Sequence, residues 1–142
     1  RAVRERDLDD VPTEFARTND ALLGTKLRHA WAPRIAQRSH TMFDCVIKYD
    51  VGTGAAVHVN YAALLGEQGW YGSEVVFVPR PDADSDDDGW AVTILTRVGE
   101  RSKAIGHGGK DPGAGPVALV TLPQQVPIGF HAAFVPGPLP AR

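Results

Sequence analysis

A single cysteine, Cys45, rules out an internal disulfide and with it the disulfide-rich scaffolds that stabilise many small secreted domains. Cys45 lies inside an apolar-alternating run with no activating partner beside it, so a buried thiol is expected there rather than a nucleophile. Uninterrupted apolar stretches are only a few residues long, far short of the roughly 20 that a membrane-spanning helix needs. The opening residues are Arg-rich and acidic rather than arranged as a signal peptide. A soluble, cytoplasmic protein is expected. Positive charge is not in excess either: 15 Lys+Arg against 17 Asp+Glu leave a net charge of -2, without the basic stripe that nucleic acid requires of a partner. No Gly-x-Ser-x-Gly elbow occurs. Gly109-Lys110 fails as a phosphate loop because Ala104 and Asp111 stand where Gly and Ser or Thr are needed. Among His29, His40, His58, His107 and His131 no two have the i, i+2 or i, i+4 spacing of a local metal site.

What remains is an ordinary globular composition, 43% hydrophobic and 23% charged over 142 residues, enough for one modest core. The first residue is Arg1 and the charged run Arg1 to Asp10 carries no start-of-domain signal, so a piece of a longer polypeptide is expected. Phe43 to Asp50 places Phe43, Cys45, Ile47 and Tyr49 on one side and Asp44, Lys48 and Asp50 on the other, the period of a half-buried strand. A Gly-containing turn at 51–54 and the alternating Ala55 to Asn60 complete a hairpin. Further strands are predicted at Val75 to Val78, Trp90 to Thr96, Val117 to Leu122 and Gly129 to Val135, with one short helical turn at Tyr61 to Leu65. The fold class is therefore all-β. Gly99 to Pro116, rich in glycine, reads as a flexible connection with at most a weak strand near Ala104-Ile105, and the proline-rich tail Pro136 to Arg142 should not continue a sheet.

Two polar features invite chemistry. Asp84, Asp86, Asp88 and Gly89 open a calcium-loop pattern, but Leu95 occupies the place of its bidentate Glu, so Asp82 to Asp88 reads as a solvated hairpin turn. His29, His40, His58 and His107 read as surface residues. His131 sits between Phe130 and Ala132 in an apolar stretch, where an imidazole must find partners or bear a desolvation cost.

Several segments together resemble the carotenoid cleavage oxygenases, a family that includes the lignostilbene dioxygenases. Val126-Pro127-Ile128-Gly129-Phe130-His131 resembles their closing motif, and Gly72 to Arg80, with Glu74 ahead of Val75-Val76-Phe77-Val78-Pro79, resembles their Glu-Pro-Val-Phe-Val segment. Asp86-Asp87-Asp88-Gly89-Trp90 is similar to their acidic turn, Glu14-Phe15 to a Glu-Phe-Pro element, and Phe43 to Asp50 to a Phe-Asp-x-x-x-Lys-Tyr-Asp strand. The order is kept over nearly the whole chain.

The resemblance implies that residues 1–142 form the C-terminal part, roughly two blades, of a seven-bladed β-propeller. It implies a non-haem Fe(II) centre held by four histidines, of which His131 is one, with Glu74 and Glu14 accepting hydrogen bonds from ligand imidazoles. Such an enzyme splits a carbon-carbon double bond of a carotenoid, apocarotenoid or stilbene-type substrate with O2. Ala16 and Val75 replace the usual prolines, Ala132 replaces a glycine, and Lys103 to Gly109 has glycines where a hydrophobic strand is usual. The other three ligands are not in this chain, which alone should be inactive and, with open sheet edges, poorly soluble. Any peripheral membrane contact would fall to parts outside it. Two other readings compete: a small β-sheet interaction module with His131 as a core residue, and a degenerate relative with a broken strand at Gly106 to Gly115.

Overall fold

The computed structural model describes residues 2–3, 5–36 and 40–137. Eight strands are present among them: β1 (His29–Ile35), β2 (Phe43–Asp50), β3 (Ala55–Asn60), β4 (Tyr71–Gly72), β5 (Val76–Pro79), β6 (Gly89–Thr96), β7 (Lys103–Gly108) and β8 (Pro116–Thr121), with one short helix, α1 (Tyr61–Leu65). They form two antiparallel meanders in chain order. In the first, residues 13–17 bridge β1 at Arg34 and Trp31, β1 pairs β2 and β2 pairs β3. In the second, β5, β6, β7 and β8 pair in succession. The two-residue β4 joins them through Phe43 on one side and Leu95 and Thr96 on the other.

The strand predicted at 43–50 is the centre of the first meander, but it is buried on both faces rather than one. Cys45, Ile47 and Tyr49 pack with Ala32, Leu8, Val11 and Ala56 on the outer side. Val46 turns the other way, into the main core between the meanders, where it joins Trp31, Val59, Tyr61, Phe77, Ala91, Leu95 and Ile105. Trp31 and Phe77 stack there with ring centroids 4.3 Å apart, so each meander contributes one aromatic plane to the contact. Burial of Cys45 pushes its thiol up to about 11, in keeping with an unreactive core group.

Two expectations about the strands fail, and β1 was not foreseen. Gly99 to Pro116 is no loose connection: β7 lies inside it, hydrogen-bonded to β6 on one edge and β8 on the other. One of its glycines, Gly109, packs closely against the turn that ends at Gly89. A Cβ at Gly109 would press into the Asp87 carbonyl, and one at Gly89 into the Val78 carbonyl, and the Gly109 amide donates to the Gly89 carbonyl at 2.8 Å. Conversely, Gly129 to Val135 joins no strand, because an alternating pattern without a neighbouring edge forms no ladder. β1 went unforeseen because Pro33 reads as a strand breaker; it lies opposite Val46 within the β1–β2 pairing. The tail has no strand at Pro136 and Gly137, and its remainder, 138–142, lies outside the described residues, as does Arg1 of the charged opening run.

The acidic turn is not simply solvated. Asp82 and Asp84 are exposed, yet Asp87 is buried and receives the Lys48 ammonium at 2.6 Å. Lys48, expected on a solvent face, is itself 8% exposed and also donates to the Lys110 carbonyl at 3.1 Å. Asp86 accepts from the backbone amides of Arg28 and His29 and from the His29 ring Nδ1 at 2.7 Å. A turn of the second meander thus clasps two strands of the first. Burial works against ionisation of both carboxyls, but it is outweighed: the His29 ring and two amides hold Asp86, and Lys48 and Ser85 hold Asp87, below the ordinary carboxylate range.

Lys48→Met alone should therefore cost about 3–5 kcal/mol in a urea melt because it strands a buried carboxylate, whereas Lys48→Met with Asp87→Leu should recover most of it. Carboxyls depressed in the folded state contribute stability above their unfolded value and lose it as pH falls through the folded one. Melts should accordingly show stability falling below about pH 4, with a shallower fall in Asp86→Asn.

Candidate functional site

Glu74 stands at the entry to β5, where the chain leaves β4 to start the second meander, and it is 3% exposed. A carboxylate so placed must be compensated by hydrogen bonds and opposite charge. Two distant segments supply them. The Ala132 amide donates to Oε2 at 2.7 Å, and the Arg17 guanidinium donates to Oε1 at 3.3 Å. The same Oε2 lies 3.6 Å from Nδ1 of His131. Residues 130–132 have no strand ladder to fix them, and the hydrogen bond from the Ala132 amide to Glu74 is the polar tie that holds this stretch.

His131 differs from the core residue its apolar neighbours suggest. Its side chain is 77% exposed, with Nδ1 turned to Glu74 and Nε2 without a polar partner among the described residues. Phe15 packs edge-on against the imidazole at 4.9 Å and also meets Phe43 and Phe130, at 5.8 and 6.1 Å. Its φ of 50° is in the left-handed region, where bulky residues are rare and cost of order 1–3 kcal/mol. The imidazole is thus braced by a carboxylate on one edge and an aromatic ring on a face, with the remaining nitrogen open. A neutral imidazole so held can donate one lone pair to a metal.

Of the residues singled out from sequence, the structure brings Glu74 and His131 together. Glu14 is exposed, and its carboxylate has no hydrogen bond or ion pair among the described residues. Arg17 and the strained Phe15 backbone were not foreseen; nothing in the sequence flags either beyond their closeness to Glu14. The remaining histidines divide. His40 and His58 are exposed as expected, but His29 is half-buried against Asp86 and His107 is 1% exposed. Burial pushes His107 below its usual range, partly offset by the backbone of Gly115 and Pro112. His29, Asp86 and Asp87 form a cluster of donors lying within 4.8 Å of one another. Lys48 already supplies its cation, which makes it an ion-pair network rather than a metal site.

Residues 1–136 match the sequence model of the retinal pigment epithelial membrane protein family. The chain belongs to that family. It is 34% identical over 141 residues to the carotenoid 9,10(9',10')-cleavage dioxygenase 1 of Pisum sativum, covering 92% of this chain and 26% of the relative. Among solved structures, the lignostilbene dioxygenase of Pseudomonas brassicacearum superimposes with a TM-score of 0.77 at 24% identity, over 92% of this chain and 28% of that one. A cobalt-substituted ACO of Synechocystis gives 0.77 at 21% identity, over 90% and 26%. This member of the family is therefore all-β and has part of the β-propeller of these oxygenases. It spans about a quarter of the length of the curated relatives it matches. No helix among the described residues is long and apolar enough to cross a membrane.

Glu74→Ala should remove the Ala132 acceptor and leave Arg17 without its buried partner. Stability should drop by about 1–3 kcal/mol, and amide exchange at Ala132 should quicken in hydrogen-exchange NMR while β2 amides keep their ranking.

Proposed function

We propose that this chain supplies one quarter of the metal-binding set of a non-haem Fe(II) dioxygenase, with His131 as an iron ligand and Glu74 as the carboxylate that orients its ring. The observation that carries this reading is the buried Glu74 carboxylate, 3.6 Å from Nδ1 of an otherwise exposed His131. A carboxylate on one ring nitrogen fixes the tautomer and leaves the other nitrogen's lone pair for a metal. The donor chemistry fits, since neutral imidazoles suit Fe(II). With O2, such a centre supplies the oxidation that splits an alkene into two carbonyls.

The rest of the ligand set would come from parts of the protein outside this chain, and the two meanders would be two blades of a seven-bladed propeller. Glu14, exposed here, would take up an imidazole from one of those parts. This chain's own contribution to catalysis is positional. Glu74, 3.6 Å from Nδ1 of His131, would hold a proton there once the pair closes to hydrogen-bonding distance, while the Ala132 amide holds Glu74 and Phe15 packs against the ring. Phe130 and Phe134, 55% and 49% exposed, flank His131 in the chain and would offer aromatic carbon to an apolar alkene. Carotenoid, apocarotenoid and stilbene-type substrates all have that chemistry. The reading as a degenerate relative loses its ground, because the glycine-rich stretch behind it contains the paired strand β7.

In the full-length protein, His131→Ala should abolish double-bond cleavage and reduce iron content measured by atomic spectrometry, while Glu74→Gln should lower activity by about 10- to 100-fold. Wild-type iron content and turnover in His131→Ala would sink the assignment.

A further inference from the structure

We propose that Arg17 is a positioning residue for this site: its guanidinium fixes the Glu74 carboxylate in the one orientation that presents Oε2 to the Ala132 amide and the His131 ring. The inference rests on the metal-site reading above and adds a group to it.

The torsion that turns a glutamate carboxylate about its last bond is broad, with no sharp staggered preference. A single bond to Oε2, from Ala132 at 2.7 Å, therefore leaves the plane of the group free to swing. Arg17 removes that freedom by holding Oε1 at 3.3 Å. Its own place is fixed from three directions. Its backbone amide and carbonyl exchange hydrogen bonds with Trp31 at 2.7 and 2.8 Å. Its second terminal nitrogen donates to Asp20 at 2.8 Å. Asp20 in turn opens the short 3-10 turn Asp20–Leu22, capped by the buried Asn19 through the Ala21 amide.

The result is a rigid relay from the β1 backbone to the imidazole: Trp31, Arg17, Glu74, then Ala132 and His131. The guanidinium serves Asp20 and Glu74 from two nitrogens set in one rigid plane, a fixed fork that the compact, freely rotating ammonium of a lysine does not reproduce. The Arg17 Nε is buried without a partner, so the side chain is tied down by its two terminal nitrogens alone. Arg17 touches neither the ring nor the open Nε2 and would act wholly through Glu74.

The test is a double-mutant cycle in the full-length protein with Co(II) as the probe. Metal affinity is read by chelator competition, and coordination by the visible absorption of the cobalt. Arg17→Gln should weaken Co(II) binding about tenfold and shift the cobalt band, and it should quicken amide exchange at Ala132 in the metal-free protein. Arg17→Lys should fall between. In the Glu74→Gln background, Arg17→Gln should change affinity by less than about twofold, since independent sites add and a residue acting through its neighbour does not. An equal loss in both backgrounds, or unchanged affinity and exchange in Arg17→Gln, would overturn the proposal. If Arg17→Gln fails to fold, Arg17→Lys decides in the same cycle. Failure of the metal-site reading looks different: His131→Ala would then bind Co(II) as tightly as wild type.

Discussion

The buried carboxylate of Glu74 is the constraint on which the site depends. Taking a charge out of water is costly unless hydrogen bonds and a countercharge replace the solvent. Here the replacements come from residues 57 and 58 positions away in the chain. Satisfying one acid therefore draws together the bridge into the first meander, the entry to the second, and the irregular stretch after β8. Without that requirement residues 130–132, which lack a ladder of their own, would be left with the ring contacts of Phe15 to Phe130 and His131.

A second charge network fixes the frame on which the first operates. Lys48 and Asp87, with His29 and Asp86, join the two meanders on the side of the acidic turn, while the Trp31 and Phe77 stack fills the space between the meanders. Lys48 also lies over the Trp31 ring at 5.9 Å, so the ion pair and the aromatic stack are in contact. The two networks meet again at Trp31, whose backbone anchors Arg17. Core packing and site geometry are accordingly not separable here: a shift of β1 would move the guanidinium and, through it, the carboxylate.

Much of the scaffold was legible from local pattern. β2 and β3 alternate between turn residues, and β5, β6 and β8 are β-prone runs bounded by Pro, Gly or Asp, signals intrinsic to each segment. What failed depended on partners. β7 carries Gly106 and Gly108 and reads as loose, yet a strand bonded on both edges needs no strong propensity of its own. Gly129 to Val135 has the opposite fault, a strand pattern with no edge beside it. Lys48 was placed outside because it shares its strand face with Asp44 and Asp50, and His29 and His107 because they lie in Arg-containing and glycine-rich stretches, but burial is decided by what packs across from them. At the site, Glu74 and His131 could be paired only through family resemblance. Arg17 was not legible at all, since its role is a contact across 57 residues that no local period encodes.

The exposure of His131 completes the reasoning about what such a chain contributes. One imidazole is a weak hold on a divalent metal, and its value in a shared site lies in being held ready. An unsupported exposed histidine would sample many rotamers and lose entropy each time it bound. Glu74, 3.6 Å from Nδ1, and Phe15, packed against the ring, would narrow that freedom in advance, and the ring of the left-handed Phe15 also meets Phe43 of β2. On the proposed reading, the ordering entropy of the ligand is met by the folding of these two meanders. The carboxylate that orients the ring and the arginine that orients the carboxylate are then parts of one device, built on backbone rather than on the metal.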